Sequence, residues 1–424
     1  MELVFVLLAV LLFIQSIVSF FSTMRFARYT LAPQTARTSR NAPKAVVILP
    51  CKGLEHDFEE NVRAYLTQDY RDYEVIFVTE SEHDPAYPVV AKLIKQNRRA
   101  AWLIVAGKTS ESGQKVHNLS TALDSLNSID RRAEVLIFAD SDARPAKMWL
   151  ADLVAPLNDR SVGATTGFRW YVPVPQSGPA AWLLSAWNAS ALAMLGERSG
   201  LAWGGATAIW RDSFGKWGIQ KQWQGALSDD YALTSALREI GQRIKFVPGC
   251  LVASHTDANW QELLEFTTRQ LKITRVYAPR IWQLTCFSHL LFNFSFWGGL
   301  FWLVKSGLAG SLNLPLFSLL TCTYALGAMT AWTRATVAAQ LLTAERDQLW
   351  QRRWVYALAG PLVSLVYLYN IAASAFSRRI SWRGIDYEMV SPNETRILHH
   401  PTNQPLAESP APAPRRRKAP VRSS

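Results

Sequence analysis

The sequence predicts an α/β domain with a mostly parallel sheet, flanked at both ends by apolar segments long enough to cross a membrane. Two patterns carry this. Between residues 45 and 140, short apolar runs alternate with runs of helical spacing, and four windows outside that region hold about 20 residues each without an interior charge. Charged residues are only 18% of the 424, while tryptophan contributes 17, which suits extensive contact with a membrane surface. The formal charge of +12 gathers beside the apolar windows and at the carboxyl terminus. That placement favours anionic lipid headgroups, not nucleic acid, as its partner.

The first window covers residues 2–21. It has no basic start and no small-residue cleavage site, so residues 1–24 read as an uncleaved transmembrane anchor. Arg25, Arg28, Arg37, Arg40 and Lys44 follow it, and by the positive-inside rule they put the next domain, residues 40–280, in the cytoplasm. Within it AVVIL (45–49, closed by Pro50), YEVIFVT (73–79), AWLIVAG (101–107) and AEVLIFAD (133–140) read as strands. Residues 58–66, 89–97 and 114–126 have helical spacing. Strands this apolar need cover on both faces, hence a parallel sheet between helices. Ligands of such sheets bind at the carboxyl ends of the strands. Three of these ends are polar: Pro50-Cys51-Lys52, Thr79-Glu80-Ser81 and Asp140-Ser141-Asp142.

Windows 286–304, 312–332 and 355–376 form a carboxyl-terminal membrane region, residues 284–377, with about three hydrophobic segments. Three crossings there would expose Arg378, Arg379, Arg383, Arg415, Arg416, Arg417 and Lys418 on the wrong side. One of the three windows is therefore expected to be re-entrant or interfacial. Residues 378–398 read as a juxtamembrane segment, and 399–424, Pro-rich and basic, as a disordered tail.

Asp140 and Asp142, two residues apart after an apolar strand, can hold one Mg2+ or Mn2+ against a diphosphate, or can form an ordinary turn. Asp229 and Asp230 of LSDDYAL precede a helical run. One acid suffices to cap that helix, which leaves Asp230 available as a general base. Gly204 and Gly205 of WGGATAIWR permit close backbone approach, to a ligand or within a turn. Arg269, Lys272 and Arg275 share one helical face, either to hold a pyrophosphate or as a basic membrane flank. Cys51, Cys250, Cys286 and Cys322 show no zinc or disulfide spacing. His56, His83, His117 and His255 read as packed or surface residues.

In order, AVVILPCKG, EVIFVTESEHDPA, SGQKVHNL, FADSDARP, GGATAIWR, LSDDYAL and RQLKITRVY resemble the ceramide glucosyltransferases, glycosyltransferase family 21, within the large family 2 of inverting transferases. The resemblance spans roughly residues 40–390. It implies a GT-A fold, a UDP-sugar donor, and inverting transfer, of glucose in the first instance, to a lipid hydroxyl such as ceramide's. The enzyme would be integral to a bacterial cytoplasmic membrane or a eukaryotic endomembrane. The resemblance assigns Glu80 to the uridine, Lys115 and Asn118 to the donor, Asp140 and Asp142 to metal and donor, and Asp230 to the base. Arg269 and Lys272 would stabilise the leaving diphosphate, with Asp229, Gly204, Gly205, Gln270 and Arg275 as further candidates. The family's R-x-x-R-W reads here Arg269-Gln270-Leu271-Lys272-Ile273, losing an arginine and an aromatic platform, which argues against a processive polysaccharide synthase. The apolar stretch 180–195 would be an interfacial helix beside the acceptor. Diacylglycerol and polyprenyl phosphate are alternative acceptors. A nucleotidyltransferase has less use for the Asp229-Asp230 pair, and a transporter would need ionisable residues inside the spans.

Overall fold

A computed structural model describes residues 2–33, 42–129 and 132–400. Arg37, Arg40 and the basic tail 401–424 lie outside the described residues. One sheet contains β1 (Ala45–Pro50), β2 (Tyr73–Thr79), β3 (Ala101–Val105), β4 (Val135–Ala139), β5 (Val162–Pro173), β6 (Ala206–Trp210) and β7 (Arg243–Thr256). Their order is β3-β2-β1-β4-β6-β5-β7. All neighbours pair parallel except β6, which is antiparallel to both β4 and β5.

Alternation along β1 shows why the strands are so apolar. Val47 and Leu49 pack with Phe58, Val62 and Tyr65 of the helix Phe58–Leu66 on one face. Val46 and Ile48 pack with Val116, Leu119 and Ala122 of the helix Gln114–Ile129 on the other. Each such aliphatic side chain, fully buried, contributes roughly 1.5–3 kcal/mol, and the two faces together fix the register that aligns the carboxyl ends of β1 and β4.

Four helices are long and apolar enough to cross a membrane: Glu2–Leu31, Pro279–Leu308, Leu314–Leu341 and Arg353–Phe376. They are not appended to the domain. Ala335, Ala338, Ala339 and Tyr356 belong to the same buried cluster as β1 and β4. The stretch 180–195 forms the helix Pro179–Ala189, of 11 residues, and a 3-10 turn, Ser190–Met194. At about 1.5 Å per residue the helix is too short to cross a bilayer, and it is buried against β5 and the helices Trp260–Tyr277 and Arg353–Phe376.

The expected juxtamembrane segment is a folded element. β8 (Arg379–Trp382), β9 (Ile385–Ser391) and β10 (Glu394–His399) form an antiparallel sheet, so order extends past residue 398, where the tail was expected to begin. Ile380, Ile385, Tyr387 and Met389 bury their side chains against Leu227 and Ile273 of the larger domain. The Tyr387 hydroxyl accepts from the Gln114 N–H at 3.2 Å, and the Thr395 hydroxyl donates to the Gly225 carbonyl at 2.8 Å. Gly225 has φ +70°, and a Cβ there would collide with the Asn393 carbonyl. Gly225→Ala is therefore expected to lower stability by about 1–3 kcal/mol and to expose residues 378–400 to protease. Unchanged melting with an intact carboxyl terminus would show that the small sheet does not depend on this contact.

Candidate active site

The carboxyl ends of β1 and β4, the amino end of the helix Asp229–Glu239 and the helix Trp260–Tyr277 enclose a cavity of about 1060 Å³. Lys52, Asp140, Asp142 and Asp230 line it at the sheet, and the long apolar helices contribute Leu284, Phe287 and Tyr367 together with Gln15, Ser288 and His289.

At the polar end lies a buried ionic cluster. Lys115 Nζ stands 2.7 Å from Asp140 Oδ1 and 3.2 Å from Asp229 Oδ1. Arg169 contacts Asp142 Oδ2 at 2.7 Å and Asp140 Oδ2 at 3.1 Å. Against the cost of burial, Lys115 and Arg169 hold Asp140 below the ordinary carboxylate range. Burial pushes the Asp229 carboxyl up to about 6 against the pull of Lys115, and the charges of Asp230 and Asp140 add to the rise.

Asp230 is different: half-buried, it accepts the Ser228 hydroxyl and the Tyr231 N–H, both at Oδ1. Neither acid of the pair is the side-chain cap of its helix, whose N-cap is Ser228. Asp229 is tied to Lys115, and Asp230 faces the cavity wall.

Gly204 and Gly205 serve the protein's own groups. A Cβ on Gly204 would overlap Asp229 Oδ2 and crowd Lys115 Nζ, and one on Gly205 would overlap the Trp203 ring. Asn118 accepts from the Gln114 side chain at 2.8 Å and lines the cavity with it. Glu80 is buried at the end of β2, paired with Lys52 and 3.5 Å from His400.

Arg269 and Gln270 line the cavity. The Arg269 guanidinium lies between the rings of Phe266 and Trp382, at 5.3 and 5.5 Å, with no carboxylate partner among the described residues. Burial lowers its pKa, with Arg169 adding to the effect and Tyr171, Asp142 and Glu265 opposing it. Lys272 and Arg275 do not line the cavity and bond backbone carbonyls instead. Lys272 Nζ donates to the Arg379 carbonyl at 2.7 Å, and Arg275 to the Ser374 carbonyl at 2.5 Å.

A profile of glycosyl transferase family 21 matches residues 5–395. The chain belongs to that family. This family 21 glycosyltransferase is 28% identical to ceramide glucosyltransferase 3 of Caenorhabditis elegans over 100 residues, 23% of this chain and 22% of the relative. It is 27% identical to ceramide glucosyltransferase 1 of the same organism over 112 residues, 26% of this chain and 23% of the relative. The matched parts thus cover less than a quarter of those relatives. Among solved structures, the mannosyltransferase PcManGT from Pyrobaculum calidifontis, in complex with GDP-Man and Mn2+, aligns over 88% of this chain and 98% of its own at 18% identity, with a TM-score of 0.47. GalNAc-T7 with UDP, GalNAc and Mn2+ aligns over 56% and 48% at 16% identity, with a TM-score of 0.35.

Two side chains that border the cavity of this glycosyltransferase escape a reading by motif. Arg169 is the lone charge in β5, VGATTGFRWYVP, and that isolation was its signal. Trp382 gives none, since it reaches Arg269 only through the carboxyl-terminal sheet.

The folded-state pKa of Asp229 exceeds its unfolded value of ~3.9, so the native state holds its proton more tightly. That contribution to stability is full below about pH 4 and is lost as pH rises toward about 6. Melting curves of wild type and Asp229→Asn in detergent should therefore diverge across this window, wild type losing ground as pH rises, with a constant difference above it. Parallel curves through the window would mean that Asp229 titrates normally.

Proposed function

We propose that this glycosyltransferase moves glucose from UDP-glucose to the primary hydroxyl of a membrane lipid such as ceramide, with inversion at the anomeric carbon. The observation that carries this is the continuity of the cavity. Its polar end presents acids and Arg269, which forms no ion pair among the described residues, and its other end includes Leu284, Phe287 and Tyr367 of the apolar helices. The sugar identity and the acceptor rest on the family resemblance and on the ceramide glucosyltransferase relatives.

Asp230 takes the acceptor proton as the lipid oxygen bonds to the anomeric carbon and the bond to the diphosphate breaks. Its Oδ1 is held by Ser228 and Tyr231, which fixes the carboxylate while Oδ2 is unbonded. Arg269, already desolvated, meets the charge that develops on the departing diphosphate, with Gln270 beside it. Lys115 keeps Asp140 ionised and Asp229 in place, Asn118 borders the donor, and Glu80, paired with Lys52 at the end of β2, reads the nucleobase.

The residues fit a divalent cation shared with the donor. Asp142 Oδ1 is buried with no hydrogen-bond partner, and the carboxylates of Asp140, Asp142 and Asp229 outnumber the cations Lys115 and Arg169. Asp140 and Asp142 would hold Mn2+ or Mg2+, hard ions suited to carboxylate oxygens, and the bound ion neutralises diphosphate charge. No group of three or more metal-ligating side chains converges among the described residues, so oxygens of the donor must complete the set. Arg169 occupies carboxylate oxygens that such an ion would use.

Asp230→Asn should cut UDP release with UDP-glucose and ceramide by roughly 10²–10⁴-fold while leaving UDP-glucose affinity within a few-fold of wild type. Undiminished release in the variant would dismiss Asp230 as base. Diacylglycerol in place of ceramide discriminates the acceptor class. Arg169→Met strands buried carboxylates and should destabilise by about 3–5 kcal/mol, and added Mn2+ should raise the melting temperature of this variant more than that of wild type. An equal Mn2+ response in both would show that arginine and cation do not compete.

A further inference from the structure

We infer that the helix Arg353–Phe376 lies in the plane of the membrane, in the leaflet that adjoins the catalytic domain, and that the chain crosses the bilayer with its other three long helices. Its 24 residues, at about 1.5 Å each, would suffice to cross. Its contacts do not allow it.

At its start, the Tyr356 hydroxyl meets Trp170 Nε1 at 3.2 Å and the Ser185 hydroxyl at 2.8 Å, both in or beside β5. In its middle, Tyr367 hydrogen-bonds Ser190 at 2.7 Å. Near its end, Asn370 Oδ1 accepts from Thr267 at 3.1 Å and Thr268 at 2.9 Å, on the helix that carries Arg269. Beyond it, Tyr387 and Thr395 bond to Gln114 and Gly225 of the same sheet domain. A crossing would place Trp170 and Gln114 on opposite sides of a hydrocarbon core about 30 Å thick, although one sheet domain carries both.

The other three helices alternate in direction. Gln15 donates to Ser288 at 2.7 Å and Phe5 stacks on Trp302 at 6.0 Å, so Pro279–Leu308 runs antiparallel to Glu2–Leu31. Asn313 bonds Glu2 and Arg334 donates to Thr23 at 3.1 Å, so Leu314–Leu341 runs parallel to Glu2–Leu31. The turn between Leu308 and Leu314 then lies opposite the catalytic domain, and the chain is back beside it at Leu341.

Arg353–Phe376 also has the surface of an in-plane helix. Trp354, Leu358, Leu362, Leu365 and Tyr369 are 41–54% exposed and Phe376 is 92% exposed. Their spacing of mostly three or four residues aligns them on the face opposite Tyr356, Val363, Tyr367 and Asn370, which are buried. Its best apolar window is 44% buried, against 11–28% in the other three helices. The occupant of the exposed stripe is the acyl layer, because the stripe extends the apolar surface of the crossing helices, where Leu284, Phe287 and Phe301 are 64–70% exposed. Arg352 and Arg353 at one end and Arg378 and Arg379 at the other then lie on one side, within reach of lipid phosphates. This placement also resolves the charge conflict of the carboxyl-terminal windows.

The test is the side from which a membrane-impermeant maleimide labels the full chain in vesicles of known orientation, with wild type as the blank for the four native cysteines. Arg396→Cys should react from the same face as Lys221→Cys in the catalytic domain, and Ser311→Cys from the opposite face. Labelling of Arg396→Cys together with Ser311→Cys overturns the inference. Spin labels at Leu358, Leu362, Leu365 and Tyr369 should then report one shallow depth. A depth that runs through the bilayer midplane overturns it, as does shielding from both water-soluble and lipid-soluble relaxants, which would assign the stripe to a second copy of this chain.

Discussion

The structure depends on charge compensation at the largely buried edge of the cavity. Asp140, Asp142 and Asp229 are brought together by β4 and the helix Asp229–Glu239, and in a low dielectric each unpaired carboxylate would cost several kcal/mol. Lys115 and Arg169 make their coexistence possible, and much of the local backbone follows from admitting these two cations. Gly204 leaves space for Lys115 against Asp229. The antiparallel β6 separates β4 from β5, yet its first residue pairs with Ala139, so Arg169 on β5 can reach past its start to both acids. Trp203 and Tyr171 hold the guanidinium on its other faces, at 4.9 and 5.4 Å. The cluster still carries an excess of negative charge, and Asp142 Oδ1 still lacks a partner. It is therefore a rigid frame with unsatisfied capacity at its cavity edge.

Sequence legibility followed the physics of each element. β1, β2 and β4 are apolar on both faces because helices cover both, and that shows as unbroken runs. β5 and β7 are longer, bulged and mixed in polarity, and β6 is short and follows two glycines, so none of the three stands out from its surroundings. The acids were legible because carboxylates directly after buried strands are conspicuous. The fates of Lys272 and Arg275 were not, because helical spacing of three residues rotates about 60° per step, and only packing decides which of a series faces the cavity. Arg269 does; Lys272 and Arg275 meet the carboxyl-terminal segment instead.

Membrane and catalytic parts share structure at every level. Ala335 and Ala338 of a long apolar helix pack in the same core as Val47 of β1, and the helix Trp260–Tyr277 serves both sides. Its Arg269 faces the cavity, its Ile273 lies beneath the carboxyl-terminal sheet, and its Thr267 holds Asn370. An acceptor that enters from the apolar end can thus reach the acids without leaving a protein-lined path.

This arrangement accounts for the departure of RQLKI from the family's R-x-x-R-W. Ile273 is not a vacated platform: it is buried among Ile380, Ile385 and Met389, where a tryptophan would need room that the small sheet fills. An aromatic contact arrives from that sheet, as Trp382 at 5.5 Å from the Arg269 guanidinium, beside Phe266 at 5.3 Å. Lys272, freed from the phosphate role, anchors the same sheet through the Arg379 carbonyl. The environment of Arg269 thus includes residues more than 100 positions away, on a sheet that the same helix anchors.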